Sequence, residues 1–190
     1  MNTKTVGLGF CLAVLITACS DSSNSEQIVD KLDTEAAELA GVFVGRLLPT
    51  LQQAMLEGGP VNGIDVCAVQ APLIAQQLSE QSGWQVKRVS LRARNSATAV
   101  PDDWERVALQ EFDQRQQSGE VAAGMSKAET VAGEFRFIQA QPAGPLCLTC
   151  HGTDLSADVR TALAQYYPDD AATGYLAGQI RGGISMRVRP

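Results

Sequence analysis

The sequence predicts an α+β domain, and three observations carry the prediction. Residues 28–51 and 64–81 repeat apolar side chains at three- and four-residue intervals, the period of a helix buried along one stripe. Residues 84–94, 130–140 and 184–189 interleave β-branched or aromatic residues with polar ones, the pattern of strands with one face on a core, and the short apolar run at 121–125 reads as a further strand. The two long helical stretches come first and the strands gather after them, whereas a chain building a parallel sheet would alternate the two.

The N-terminus reads as an export signal. Residues 1–5 are polar and carry Lys4, and residues 6–16 form an uncharged apolar run too short to span a bilayer. The run closes in Ile16-Thr17-Ala18-Cys19, which resembles the lipobox of bacterial lipoproteins. On that reading residues 1–18 are removed and Cys19 is lipidated; the alternative is an ordinary secretory signal cut after Ala18. Two acyl chains on one residue would hold the protein to a membrane. Ser20 rather than Asp follows the cysteine, which in enteric bacteria favours the outer membrane. The expected location is therefore the periplasmic side of the envelope. Residues 19–26, Cys19 followed by a polar Ser-rich run, read as a lipidated flexible tether, and residues 27–190 as one domain.

The whole chain has a formal charge of −6. Loss of residues 1–18 takes Lys4 and no acid, leaving 14 basic and 21 acidic residues, or −7. Such a chain is a poor partner for nucleic acid.

Within the domain, the first helix covers residues 28–51 and continues to Met55, disturbed near Pro49. Gly58-Gly59-Pro60 breaks the chain. The second helix follows, with Ile64, Cys67, Ala71, Ile74 and Leu78 along its apolar face. Pro72 lies inside it and leaves the carbonyl of Ala68 without its usual donor, so a kink is expected just beyond Cys67. The strand at 84–94 carries Lys87, Arg88, Arg92 and Arg94. A solvated charged face is the ordinary reading; the functional one is that Arg88 or Arg92 pairs with a carboxylate. A helix at 102–117, strands at 121–125 and 130–140, a short helix at 156–165, a Gly-rich connection and a closing strand at 184–189 complete the chain.

The chemistry sits in Cys147-Leu148-Thr149-Cys150-His151. Two residues between the thiols let both sulfurs reach the vinyl groups on one edge of a porphyrin, and the adjacent imidazole then stands under the iron. This is the attachment pattern of a c-type haem, and the carboxylates read for Arg88 and Arg92 are then the haem propionates. The competing readings are a thioredoxin-like redox pair and a zinc site completed by Cys67. A redox pair opens a helix after a strand, whereas this motif follows Gln141-Pro142-Ala143-Gly144-Pro145, which reads as a loop.

His151 is the only histidine, so a haem held between two histidines of this chain is excluded. The far side of the iron is left to Met55, Met125, Met186, Cys67, a lysine, a tyrosine, an amine, water or nothing. Cys67 on a buried helix face also has a plain packing reading.

Taken together, Val66-Cys67-Ala68-Val69-Gln70-Ala71-Pro72, Arg88 to Asn95, Cys147 to Gly152, and Tyr167-Pro168-Asp169-Asp170 through Gly174-Tyr175 to Ser185 resemble a bacterial family of single-haem c-type proteins with a PAS-like sensor fold, formerly a domain of unknown function. The resemblance implies an antiparallel PAS-like sheet with two long N-terminal helices and further flanking helices. It implies one covalent haem c on Cys147 and Cys150, with His151 and Cys67 as axial ligands. Asn95-Ser96 departs from the family, which often has Pro after the Asn.

The expected function is redox or small-ligand sensing, or redox relay, through a His/Cys-ligated haem; the alternative is a simple electron-transfer cytochrome with His/Met ligation. The expected partners are a membrane, a redox or signalling protein and a diatomic ligand. Enzyme chemistry is not expected, because the sole histidine is committed to iron and leaves no distal acid–base group.

Overall fold

The structure is a computed structural model that describes residues 20–190. The export signal, the lipobox and Cys19 lie outside the described residues.

Helix α1 runs over Ser20–Asp65 and is divided at Gly59, whose φ of 71° and ψ of −167° interrupt the helical path. The break expected at Gly58-Gly59-Pro60 is therefore present as a change of direction inside one long element. Residues 20–26, part of the segment expected as a flexible tether, are helical. Once a helix is nucleated each further residue adds a backbone bond, and the exposed positions from Asn24 to Lys31 prolong the packed part of α1 outward.

The kink expected beyond Cys67 takes the form of a π-turn. Residues Val66–Gln70 are wound one residue wider than an α-helix, with the Ala71 N–H donating to the carbonyl of Val66. Pro72 then stands in the first turn of α2 (Ala71–Ser82), where a missing N–H costs nothing. The wide turn absorbs the donor that proline lacks, and Cys67 sits in it.

Four strands form one antiparallel sheet in the order β1-β4-β3-β2: β1 (Gln85–Val89), β2 (Ser126–Val131), β3 (Glu134–Pro142) and β4 (Ile180–Val188). The strand expected at 121–125 is not formed. Gly124 has φ of 85° and Met125 turns inward into a core, so pairing starts one residue later at Ser126. The strand expected at 130–140 is split by a turn at Ala132-Gly133, both with positive φ, the two-residue geometry that suits the twist of a hairpin.

The sheet buries both faces. On one, Val86, Phe135, Phe137, Ile184 and Met186 pack beneath α1 and α2; on the other, Val89, Ile138, Ala140 and Ile180 meet α3 (Asp103–Gln117). Helix α3 starts on a reciprocal cap: the Glu105 N–H donates to Asp102 and the Asp102 N–H donates to Glu105. Glu105 is fully buried and also accepts from Ser185 Oγ at 2.6 Å and from Lys87 Nζ at 2.9 Å. Two smaller clusters involve α4 (Pro145–His151) and α5 (Ala157–Tyr166), both of which pack against α1. Among the described residues, no helix is long and apolar enough to cross a membrane.

Candidate functional site

The segment read as a loop before the cysteine motif opens a short helix directly after β3, so strand-to-helix context does not separate the motif from a redox pair. Gly144 is the cap and Pro145 the first residue of α4, a position where proline's fixed φ fits and its missing N–H is not needed. On a helix, positions i, i+3 and i+4 share a side. Cys147, Cys150 and His151 have that spacing, so the local fold alone gathers them. Gly152 ends the helix with its N–H donating to the Leu148 carbonyl at 2.8 Å. A Cβ there would stand 2.5 Å from that oxygen, so only glycine closes the turn.

The connection after α5 then clamps the end of α4. The Gly174 N–H donates to Gly152 O at 2.8 Å and the Tyr175 N–H to His151 O at 2.9 Å. His151 is buried, and its Nδ1 lies 2.7 Å from the carbonyl oxygen of Ala172. A carbonyl only accepts, so Nδ1 carries the proton and Nε2 keeps its lone pair. Burial, followed by the charges of Arg181 and Arg94, pushes the imidazole pKa far below the ordinary histidine range. The ring is therefore neutral, the form that ligates a metal.

Arg94 ties these pieces together. Its guanidinium pairs with Asp170 at 3.1 Å and donates to the carbonyls of Cys150 at 2.5 Å and Ala172 at 3.1 Å. Its Nη1 also reaches within 3.4 Å of His151 Nε2. Asp170 in turn accepts from the Ala172 N–H at 2.8 Å. Three segments far apart in sequence, around Arg94, His151 and Asp170, thus fix one imidazole.

Cys67, Cys147 and Cys150 are all free thiols, and with His151 they line one cavity of about 690 Å³. The volume lies within the range of ligand pockets. Burial raises the Cys150 thiol pKa; Arg94 opposes this, and the nearby Cys67 and Cys147 add to it. The opposite wall is α1, where Gly41 and Gly45 are one turn apart and a Cβ at either would meet nothing within 4 Å. Helix-interior glycines cost stability; here they leave a flat group room beside the helix. Apart from Gln52 the remainder of that wall is apolar, including Val44, Leu48 and Leu51.

These features fit a haem. A neutral imidazole with an unprotonated Nε2, two thiols at attachment spacing, a third thiol upstream in the same cavity and a largely apolar wall are what such a group requires. They do not fit zinc: among the described residues no three His, Cys, Asp or Glu side chains converge closely enough to hold a metal ion. The methionines separate cleanly. Met125 and Met186 are buried in the cores on either side of the sheet, and Met55 alone of the three lines the cavity.

The expected arginines divide. Arg88 lines the cavity together with Cys67 and His151. Arg92 does not; it donates to the Thr173 carbonyl at 2.5 Å and stacks over Tyr175, 3.8 Å from the ring centroid. Sequence reasoning missed Arg181, which lines the cavity beside Arg88, and it missed the holding role of Arg94. The Gly182-Gly183 pair, read as part of a Gly-rich connection but lying inside β4, was the available signal for Arg181, since glycines within a strand mark a bulge or a close backbone approach.

The sequence model of the family described as Tll0287-like matches residues 16–189. Among solved structures the chain is similar to one described as the crystal structure of the cyanobacterial heme-protein Tll0287, with 25 % sequence identity and a TM-score of 0.61. The match covers 86 % of this chain and 95 % of that one. No curated protein matches the chain. The PAS-like α+β class expected from the sequence is the class found.

Proposed function

The chain belongs to the Tll0287-like family, and from that premise we propose that it is an envelope-anchored, single-haem c-type protein. In this reading it senses redox state or a small diatomic ligand, or relays electrons, through a haem held between His151 and Cys67. The supporting observation is the cavity that gathers Cys67, Cys147, Cys150 and His151. A solved relative described as a heme-protein adds to it.

When bound, haem supplies one-electron chemistry at its iron. The chain's own residues set how that chemistry is used. Cys147 and Cys150 would anchor the macrocycle through thioethers. Ala172 orients His151 and keeps Nε2 available, and a carbonyl partner on the other ring nitrogen raises the basicity of a ligating histidine. A Cys67 thiolate would donate density and favour the oxidised state, giving a low potential. The π-turn that carries Cys67 is a form of helix that recurs at functional sites, and it suits a ligand bond that loosens on reduction. A chain of this kind acts as a carrier or sensor rather than a catalyst, with a redox or signalling protein as partner.

The second reading is a plain electron-transfer cytochrome with His/Met ligation, and one observation favours it: Met55 lines the same cavity as Cys67. Absorption and electron paramagnetic resonance spectra of the purified oxidised protein, beside Cys67→Ala and Met55→Leu, decide between them. Loss of a low-spin thiolate signature in Cys67→Ala alone is the expected result. An unchanged Cys67→Ala spectrum would sink thiolate ligation, and a change in Met55→Leu would move the assignment there.

A further inference from the structure

The cavity is cationic in a chain whose net charge is −6. Arg88, Arg94 and Arg181 line both the 690 Å³ cavity and an adjoining one of about 330 Å³. Neither is lined by a single Asp or Glu among the described residues. Arg94 is accounted for by Asp170. The Arg88 side chain makes no hydrogen bond or ion pair among the described residues, and Arg181 Nε is buried with no hydrogen-bond partner. Burial, followed by repulsion from Arg88, pulls the Arg181 pKa down to about 10. Two half-buried guanidiniums side by side, one with a buried and unpaired Nε, are costly unless an anion joins them.

The fold places Arg181 here by an irregularity. Ile184 and Met186 face α1 and α2, so strict alternation would send Arg181 to the α3 face. Pairing between β3 and β4 slips instead: Gln141 pairs with Gly182 and Pro142 with Ile180, which leaves Arg181 without a partner. Such a bulge re-aims a side chain. Gly182 permits it, because a Cβ there would stand 2.3 Å from the Val89 carbonyl oxygen. The close approach brings Arg181 against the strand that carries Arg88.

We propose that Arg88 and Arg181 form a clamp for a pair of carboxylates at this end of the cavity. Guanidinium groups match carboxylates geometrically, with two parallel hydrogen bonds each. A dicarboxylate can come from two sources, the paired propionates of a haem or a free aliphatic diacid; the first rests on the haem reading above and the second does not.

The test compares purified wild type with Arg88→Gln, Arg181→Gln and Arg181→Lys. Resonance Raman spectra of the haem-loaded proteins report propionate bending separately from axial-ligand modes. The expected result is covalent haem in all four proteins, with propionate bands shifted in both Gln variants and partly restored in Arg181→Lys. Calorimetric titration with succinate is the second arm. Haem-loaded wild type is expected to take up none. Succinate binding to wild type that weakens about tenfold or more in Arg181→Gln would keep the clamp and assign it to a free diacid. Identical propionate bands in all four proteins, together with no succinate binding, would overturn it. Wild type that carries no haem would sink the haem reading, and the succinate arm would then decide the clamp alone.

Discussion

The Nδ1 of His151 lies 2.7 Å from the carbonyl oxygen of Ala172, a residue 21 positions downstream. That contact decides which nitrogen of the sole histidine is free. It depends on Asp170, which holds the Ala172 N–H at 2.8 Å and pairs with Arg94, both side chains only 10 % exposed. Asp170→Asn leaves the Arg94 charge partly buried and unpaired. Breaking such a pair costs about 3 kcal/mol, and chemical denaturation of the purified protein should show a loss of that order. In the haem-loaded protein the same change should shift the histidine–iron band in resonance Raman spectra, as the imidazole loses its fixed orientation.

Gly41→Leu separates folding from cofactor uptake. A Cβ at this position meets nothing within 4 Å, and Leu is the better helix former by roughly 0.5–1 kcal/mol. The thermal midpoint of the haem-free fraction should hold or rise. Haem content, read as the ratio of Soret to protein absorbance, should fall several-fold because the new side chain occupies the cavity. Equal haem content in variant and wild type would mean that the α1 wall is not the haem contact.

Reduction tests the lability of the ligand on the far side. If Cys67 loosens when the iron is reduced, dithionite-treated protein binds carbon monoxide and its Soret band moves. A reduced protein that takes up neither carbon monoxide nor nitric oxide would argue against gated sensing and for plain electron transfer.

Glu105 holds the opposite face of the sheet. It is fully buried, ion-paired with Lys87, and accepts hydrogen bonds from Ser185 and from the Asp102 N–H. Glu105→Gln removes the charge that Lys87 and Arg136 surround. A loss of about 3 kcal/mol is expected, seen as a lower denaturant midpoint with an unchanged slope.

Asp102 gives the acid side of the stability profile. Burial raises its pKa, but the hydrogen bond from Arg136 and the Glu105 N–H outweigh it, and the net pKa is below the ordinary value of 3.8. The folded form thus binds the proton less readily than the unfolded chain. Its stabilisation is complete above 3.8 and is lost as pH falls through the lowered folded value. Denaturation midpoints taken down through that window should fall less steeply in Asp102→Asn than in wild type.

The features legible in the sequence were local ones. Helical spacing alone puts Cys147, Cys150 and His151 on one side of α4, and apolar periodicity alone locates α2, because both depend on residues three or four apart. A single histidine settles by count that no second one can face the iron. Strand ends were less legible: the Ala132-Gly133 turn and the loss of the 121–125 strand depend on backbone angles that alternation does not encode.

What only the tertiary structure decided is which distant groups meet. Cys67 reaches the cysteine motif's cavity through the π-turn and the packing of α1 and α2, and Met55 reaches it while Met125 and Met186 are spent in the cores. The partner that sets the His151 tautomer is a backbone carbonyl, which every residue carries and no side-chain pattern marks. Arg181 faces the cavity because the pairing of β3 and β4 slips at one point. Periodicity within a strand assigns its faces only while the register is regular, and register belongs to the pairing of two strands rather than to either sequence.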